Sequence, residues 1–356
     1  MPSLTERVPP HVQAATLKAV FSLPRPARRR IAGKPVRVDS QELALDAQLL
    51  LRLQQASGTS LVGSSDLAEA RRILDTSAWM TAGQPIQPVL TRELDIPTRD
   101  GAIRGRLYSP GGVMAPAPLL IFYHGGGYVL GSLDSHDNPA RLLAKHAGVR
   151  VLSVDYRLAP EHPFPAAVHD AIDAFDYARE HAEELEIDPT RIAVGGDSAG
   201  GNLSAVVAHQ TTRRGGPSPA FQVLIYPVTD VTRQSPSREL FTEGFFLTRA
   251  DIDWFERNYI PEGTDLADDR LSVLRAQDLS GLPPAFITTA GFDPLRDEGE
   301  AYASALAKAG VPVALSRQTD LIHGFINTIG LGGRFLEATT EIAGALRTGL
   351  MLADKR

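Results

Sequence analysis

The chain has 356 residues, 43% of them hydrophobic and 22% charged, which supports a large folded core and argues against wholesale disorder. It contains no cysteine, which excludes disulfides, thiolate metal sites and a cysteine nucleophile, and its formal net charge of -6 gives no field that would attract nucleic acid or an anionic membrane. No apolar run approaches the roughly 18 residues that span a bilayer, and the lack of cysteine fits a reducing compartment, so we expect a cytoplasmic protein without an integral membrane segment.

The first eighty or so residues have the apolar spacing of helices, with no strand pattern. Helices are predicted over residues 12–21, 41–55 and 64–80, with Ser40 and Ser65 near plausible N-caps. Four arginines could form a basic patch, but the neighbouring prolines favour a solvated turn between two helices: Arg25, Arg28, Arg29 and Arg30. We therefore predict an N-terminal helical region over residues 1–85.

From about Glu93, short β-rich runs alternate with helical runs. Strands are predicted over residues 92–97, 103–108, 119–123, 150–154, 191–195, 221–226, 285–289 and 313–316. Helices are predicted over residues 139–147, 165–181, 200–210 and 299–309. The first two strands can form an antiparallel hairpin, and the later ones are typical of parallel strands buried on both faces. The pattern predicts a doubly wound α/β domain with a mostly parallel, eight-stranded sheet flanked by helices.

Residues 229–278 interrupt this alternation and are rich in aromatic side chains. A segment of this length between two strands is either a cap over a pocket or additional core packing, and its position before the expected catalytic acid favours the cap. The predicted division is a cap from residues 1–85 and 229–278 and an α/β domain from residues 86–228 and 279–356. Phe245, Phe246 and Trp254 either line a pocket under the cap or pack within it.

The pentapeptide from Gly196 to Gly200 matches G-x-S-x-G. The motif is weak alone, but here an apolar strand pattern precedes it and a helical pattern follows it, as in a nucleophile elbow. Such a turn is strained and leaves no room for side chains two positions from the serine, which the glycines provide. We predict that Ser198 is a nucleophile at the carboxyl end of the sheet, rather than part of a turn without chemistry.

His124, Gly125, Gly126 and Gly127 directly follow a predicted strand. A glycine run lets backbone N–H groups point at the oxyanion of a tetrahedral intermediate, and we predict Gly125, Gly126 and Ala199 as donors. A phosphate cradle is the competing reading, but the sequence has neither of the glycine motifs that bind nucleotide phosphates. His124 precedes the serine and is expected to fix this loop rather than act as the base.

A serine hydrolase on this scaffold carries its serine, acid and histidine in that order along the chain. His323 follows the last predicted strand, whereas His209 lies in the helix after Ser198. We predict that His323 takes the serine proton during attack and returns it to the leaving alcohol.

The acid must lie between the serine and the histidine. Asp293 follows a predicted strand and is the preferred candidate, while Asp297 and Glu298 are rivals that we expect in the next helix. Asp197 adjoins the nucleophile but comes too early in the chain to be the acid. We expect it to be structural and to lie beside the bound substrate.

These motifs, with the Tyr156–Glu161 segment and the Asp293–Glu298 segment, resemble the hormone-sensitive-lipase family of bacterial esterases, in the branch with a GDSAG elbow. The resemblance covers about residues 90–340. It implies an α/β-hydrolase fold with a helical cap, and a serine carboxylesterase that cleaves short- to medium-chain acyl esters through an acyl-enzyme. It implies no metal and no organic cofactor.

The resemblance also implies a structural network of Tyr156, Arg157 and Glu161 behind the site, and in some members a homodimer formed through the last strand, here from Val313 to Ser316. Two other functions stay open. One is a ligand receptor without catalysis, as in plant relatives that lack the histidine. The other is amide or carbamate cleavage, or acyl transfer, by the same three residues.

Two further positions are candidates for contact with a small-molecule ester. Tyr128 lies near the glycine run and is expected to line the pocket entrance. Trp79, with Met80, ends the N-terminal helical region and is expected to reach over the site, although packing within the cap is an equal alternative.

Overall fold

The computed structural model describes residues 9–58, 60–64, 66–232 and 235–353. Its strands are β1 (Arg37–Val38), β2 (Gln41–Glu42), β3 (Val89–Thr98), β4 (Gly101–Pro110), β5 (Ala117–Tyr123), β6 (Arg150–Asp155), β7 (Ile187–Asp197), β8 (Phe221–Ile225), β9 (Ala285–Phe292) and β10 (Val313–Ile322). Its α-helices are α1 (Pro10–Phe21), α2 (Arg25–Ala32), α3 (Leu45–Ser57), α4 (Leu67–Ala82), α5 (Asp137–Ala147), α6 (Ala166–Glu180), α7 (Ala199–Arg213), α8 (Pro236–Leu240), α9 (Arg249–Tyr259), α10 (Arg296–Lys308) and α11 (Gly333–Ala353). Val273–Arg275 and Phe325–Leu331 form 3-10 helices.

The main sheet has eight strands in the order β10-β9-β8-β7-β5-β6-β4-β3. β3 and β4 form the predicted antiparallel hairpin, and β4 pairs antiparallel with β6. Every other neighbouring pair in this sheet is parallel. The predicted α/β-hydrolase fold with a mostly parallel sheet is therefore confirmed.

Side chains of the central strands alternate between two cores, one on each face of the sheet. In β5, Leu119 and Ile121 belong to one core, and Leu120 and Phe122 belong to the other. Helices α6 and α7 cover the first core, and α5 and α11 cover the second. Because both faces are covered, the strands read as continuous apolar runs in the sequence.

The residues singled out from the sequence come directly after strands. His124 follows β5, Ser198 follows β7, Asp293 follows β9 and His323 follows β10. These four strands run parallel, so their carboxyl ends meet at one edge of the sheet. The topology alone therefore gathers residues that are 199 positions apart in the chain (from 124 to 323).

The N-terminal region departs from the prediction in the segment before α3. A helix was expected from residue 41, with no strand pattern nearby, but β1 and β2 form a short antiparallel pair and α3 begins at Leu45. Ser40 lies in the turn of this pair with φ +60° and caps no helix. The Ala44 N–H donates to the Asp320 carbonyl of β10 at 2.8 Å, so a tertiary contact overrides helical spacing here. Ser65 lies outside the described residues.

The four arginines also differ from the prediction, because they belong to a helix, α2, and not to a turn. Arg28 forms an ion pair with Asp46, and Arg29 donates to the Gln48 side chain at 2.8 Å, both on α3. Contacts with a neighbouring helix stabilise α2 despite its charge. None of the helices in the described part of the chain has the length and hydrophobicity to cross a membrane.

Candidate active site

Ser198 lies in a sharp turn between β7 and α7, with φ +56° and ψ -117°. A non-glycine residue with this backbone geometry is strained and needs support from its surroundings. The Ser198 N–H donates to the Ile225 carbonyl at 2.8 Å. A Cβ on Gly196 or Gly200 would lie 2.2 or 1.8 Å from the Tyr123 carbonyl oxygen, so only glycine fits at either position.

The structure brings Ser198, His323 and Asp293 together. His323 Nε2 lies 3.0 Å from Ser198 Oγ, and His323 Nδ1 lies 2.8 Å from Asp293 Oδ2. The second carboxylate oxygen of Asp293 accepts the Leu295 N–H at 2.9 Å, which fixes the carboxylate plane. All three side chains are buried, and Asp293 is 0% exposed. This arrangement suits proton transfer between a hydroxyl and an imidazole oriented by a carboxylate.

The rival acids bind elsewhere. Asp297 and Glu298 lie in the first turn of α10, as expected. Asp297 accepts the Ser237 N–H at 2.8 Å, and Glu298 accepts the Thr229 N–H at 2.9 Å. His209 Nε2 donates to the Asp278 carbonyl at 3.2 Å, and His209 takes no part in the cluster around Ser198.

The oxyanion prediction needs one correction. The Gly125 N–H donates to Asp197 Oδ1 at 2.9 Å, so it is not free to bind a substrate oxygen. Within the described part of the chain, the N–H groups of Gly126 and Gly127 have no acceptor. Ala199 is the first residue of α7, where an N–H has no partner inside the helix. The available donors are thus Gly126, Gly127 and Ala199.

Gly127 was missed because a glycine run does not reveal which N–H groups point into a cavity. Both available glycines have positive φ, +117° at Gly126 and +60° at Gly127. A Cβ on Gly126 would lie 2.3 Å from the Leu130 carbonyl oxygen, and one on Gly127 would lie 2.3 Å from the Phe255 ring. Backbone conformation and space both require glycine here.

Asp197 belongs to a buried polar cluster behind the glycine loop. Its Oδ1 also lies 3.2 Å from Nε2 of His136, and its Oδ2 lies 3.4 Å from the Tyr226 hydroxyl. Burial favours the neutral carboxyl, but His136 and the Gly125 N–H outweigh burial and lower the pKa of Asp197 below its ordinary value. His136 lies in the loop before α5, and no local sequence signal identified it.

His124 fixes the same loop from the other side. Its Nδ1 lies 2.8 Å from the Gly125 carbonyl, and its ring stacks on Tyr156 with centroids 4.3 Å apart. The Tyr156 hydroxyl donates to the His124 carbonyl at 2.7 Å. Burial, with help from the neighbouring His136, lowers the pKa of His124 to about 4, so this imidazole is neutral at pH 7.

Arg157 and Glu161, which the resemblance placed with Tyr156, make separate ion pairs. Arg157 binds Asp170, with a shortest distance of 2.7 Å. Glu161 binds Arg71 of α4 at 2.8 Å, and Arg71 also donates to the Val129 carbonyl at 3.0 Å. Arg71 therefore attaches an N-terminal helix to the loop that follows the glycine run.

A cavity of about 140 Å³ opens onto Ser198 and His323. Its walls come from α3 and α4, the glycine loop, residues 228–271 and the segment after His323. Of the candidate contact residues, Tyr128, Asp197 and Phe246 line this cavity. Phe245 instead packs on Phe241 and Phe292.

Trp79 and Trp254 do not line the cavity, contrary to the prediction. Helix α4 turns Leu74, Ala78 and Thr81 toward the cavity, which leaves Trp79 on the opposite face and 57% exposed. Helix α9 turns Ile252, Phe255, Glu256 and Tyr259 inward, and Trp254 packs edge-on against Phe255. Helical phase decides both cases, and aromatic character alone could not reveal it.

No three His, Asp or Glu side chains of the described residues are grouped so that they could hold a metal ion.

A family model described as alpha/beta hydrolase fold matches residues 120–327. Carboxylic ester hydrolase LipN of Mycobacterium tuberculosis (strain ATCC 25618 / H37Rv) is 47% identical over 354 residues, which cover 97% of this chain and 94% of that protein. Ethyl acetate hydrolase of Pseudomonas putida is 40% identical over 290 residues, 80% of this chain and 91% of that protein. The solved structure of an ester hydrolase from the metagenome of Lake Arreo has a TM-score of 0.83 at 43% identity, over 86% of this chain and 98% of that chain.

Proposed function

The chain belongs to the hormone-sensitive-lipase family of α/β-hydrolases, and we propose that it cleaves carboxylic esters through Ser198, His323 and Asp293. It is a carboxylic ester hydrolase, since its similarity to a relative of that name extends over 97% of the chain. Two consecutive hydrogen bonds support these three roles best. One joins the Ser198 hydroxyl to the His323 imidazole at 3.0 Å, and the other joins that imidazole to the Asp293 carboxylate at 2.8 Å.

In the first half of the reaction, Ser198 Oγ attacks the ester carbonyl carbon while His323 Nε2 takes the hydroxyl proton. The carbonyl oxygen becomes an oxyanion that accepts hydrogen bonds from Gly126, Gly127 and Ala199. When the intermediate collapses, the carbon–oxygen bond to the alcohol breaks, and His323 returns the proton to the leaving alcohol.

In the second half, water attacks the acyl-enzyme while His323 takes one of its protons. The new intermediate collapses, the bond to Ser198 Oγ breaks, and the serine recovers its proton. Asp293 accepts the hydrogen bond from Nδ1 throughout, which holds the tautomer that presents Nε2 to the serine. Every proton is thus carried by the chain's own residues.

Replacing Ser198 with alanine tests this proposal. We expect Ser198→Ala to lose at least about a thousandfold in kcat with p-nitrophenyl butyrate, since the nucleophile is removed. The variant should stay folded, because alanine keeps the Cβ and the backbone of the turn and removes only the hydroxyl. Undiminished turnover by a folded variant would refute the assignment of Ser198.

The substrate range follows from the cavity. A cavity of about 140 Å³ lined in part by the segments 1–85 and 229–278, which we propose as the cap, favours short and medium acyl chains. A series of p-nitrophenyl esters should give its highest kcat/KM below about ten acyl carbons. A maximum with long-chain triglycerides would contradict the proposed cap.

We also propose that the chain forms a homodimer through β10. This strand lies at the edge of the sheet. All of its first five residues have exposed or half-exposed side chains, and no strand of the described residues pairs with its outer side. Open edges readily pair with another chain. Replacing Leu315, which is 46% exposed, with proline should then yield monomers in sedimentation experiments.

We also propose a cytoplasmic location, which the cysteine-free composition favours and which cell fractionation can test.

A further inference from the structure

One wall of the cavity is polar in a way that the ester hydrolysis above does not use. Tyr128, Arg238, Glu256 and Tyr259 line the same cavity as Ser198, and we call these four residues the polar patch. Tyr128 follows the oxyanion glycines, and the other three belong to the segment between β8 and β9. The surrounding wall is apolar, with Leu247, Ile252, Phe255 and Leu271 among its residues.

Three atoms of the polar patch are buried without a hydrogen-bond partner in the described part of the chain. They are the hydroxyl oxygens of Tyr128 and Tyr259 and Oε1 of Glu256. The two tyrosines are 5% and 2% exposed, and their rings stack with centroids 3.9 Å apart. Buried polar atoms nearly always have a hydrogen-bond partner. Three exceptions in one cavity wall therefore indicate that a bound molecule supplies the missing hydrogen-bond partners.

Arg238 holds the patch in place. Its Nε and Nη2 donate to one oxygen of Glu298 at 3.0 and 2.9 Å, while Nη1 lies 3.8 Å from Glu256 Oε1. Glu298 in turn accepts the Thr229 N–H, next to Val228, whose N–H donates to the Ser198 carbonyl at 3.2 Å. The patch is therefore rigidly connected to the nucleophile's own backbone.

The patch favours a neutral partner over an ion. Glu298 offsets the charge of Arg238 at hydrogen-bond distance, and burial raises the pKa of Glu256, which Arg238 only partly opposes. Burial also raises the pKa of both tyrosines far above neutrality, so their hydroxyls stay protonated. The side chains of the polar patch, which line the cavity, thus carry hydroxyl donors, hydroxyl acceptors and a carboxyl oxygen, the complement of an alcohol-like group.

We propose that the polar patch binds a neutral hydrogen-bonding group, such as a hydroxyl, carried by the ester substrate at the end remote from its carbonyl. The inference rests on the proposed ester hydrolysis and narrows its substrates to hydroxylated esters in preference to plain hydrocarbon esters. The group is carried by the acyl chain or by the alcohol, and the two are separated by experiment.

The test compares kcat/KM for matched esters. The acyl pair is ethyl hexanoate and its ω-hydroxy derivative, and the alcohol pair is hexyl acetate and its ω-hydroxy derivative. In at least one pair we expect the parent enzyme to favour the hydroxylated ester by about fivefold, the worth of one net hydrogen bond. The pair that shows the preference identifies which end of the ester reaches the patch.

Tyrosine-to-phenylalanine variants connect this preference to the patch. Tyr128→Phe and Tyr259→Phe remove only a hydroxyl, and at least one of them should bring the ratio close to one without lowering the unfolding temperature. Tyr302→Phe is the matched control, because its hydroxyl is also buried without a partner among the described residues but lies outside the cavity. This control should keep the parent's ratio.

Three results would overturn the inference: equal kcat/KM within both pairs, a preference that survives both cavity variants, or a stronger preference for ω-amino or ω-carboxy esters. The last would show that the patch binds an ion. None of these results touches the proposed hydrolysis, which fails only if Ser198→Ala still cleaves ethyl hexanoate.

Discussion

The negative charge of Asp197 should stabilise the glycine loop in addition to the hydrogen bonds that the side chain makes. Asp197→Asn keeps the shape of the side chain, and its amide oxygen can still accept from Gly125 and face His136, while its amide nitrogen faces the Tyr226 hydroxyl. The substitution therefore removes the negative charge and little else.

The magnitude follows from the contacts. Two hydrogen bonds change from charged to neutral, each at a cost of about 1 kcal/mol, so unfolding free energy should fall by about 2 kcal/mol at pH 7. Asp197→Ala leaves the Gly125 N–H and His136 buried without their partner and should cost about 3–5 kcal/mol. Both variants should lower kcat more than they raise KM, because the displaced loop carries the proposed oxyanion donors.

The pH dependence has a definite sign. Because the pKa of Asp197 is lower in the folded protein than in an unfolded chain, its contribution is complete above the ordinary carboxyl range. It is lost as the pH falls through the folded value, so the stability gap between the parent and Asp197→Asn should be constant from pH 7 to about 5 and shrink below about 4.

Urea unfolding across this pH range and kcat/KM for p-nitrophenyl butyrate are the measurements. Asp170→Asn is the matched control, since Asp170 is also buried and ion-paired, with Arg157, but makes no hydrogen bond or ion pair with the glycine loop among the described residues. It should lose stability with little change in kcat. If Asp197→Asn keeps the parent's stability and kcat, the reasoning about this carboxylate is wrong.

Three further predictions concern the cavity and its walls. Gly127→Ala should lower kcat by at least about tenfold, because the added Cβ would lie 2.3 Å from the Phe255 ring and displace a proposed oxyanion donor. A kcat equal to the parent's would exclude Gly127 as a donor. Trp79→Ala should leave kcat/KM within about twofold of the parent's, whereas Phe246→Ala should change the acyl-chain preference. Both variants are assayed with a series of esters of increasing acyl-chain length. A changed preference in Trp79→Ala and an unchanged one in Phe246→Ala would contradict this prediction. Arg71→Met should lower the unfolding free energy by about 1 kcal/mol. The loss is small because the ion pair with Glu161 is partly exposed, and only the hydrogen bonds from Arg71 to backbone carbonyls are well shielded from water. An unfolding temperature equal to the parent's would show that Arg71 does not hold α4.

Much of the sheet and of the reacting centre was predictable because local patterns determine them. Each predicted strand of the main sheet overlaps an observed one, and the motifs at residues 124, 198, 293 and 323 lie at strand ends. Strand ends were less accurate: β10 continues to Ile322, six residues beyond the prediction, along its register with β9. Pairing with a neighbouring strand, which one sequence does not display, extends such a run.

What escaped prediction depends on direction and on distant partners. The sequence identified the glycine run but not that the Gly125 N–H turns toward Asp197, because that contact joins residues 72 positions apart. His136 was missed for the same reason, since its partner lies on another element. The two tryptophans were misplaced because a shift of one residue rotates a helical side chain by about 100°.

The rigid sheet and the walls of the cavity come from different stretches of the chain. The proposed catalytic residues directly follow β5, β7, β9 and β10. Much of the surface that would meet a substrate comes instead from the N-terminal helices and the segment between β8 and β9. Selectivity can therefore change by replacement of these outer segments while the bond-breaking apparatus stays intact. Chimeras that exchange these outer segments between relatives should take the ester preference of the protein that supplies the segments and keep the kcat of the protein that supplies the sheet.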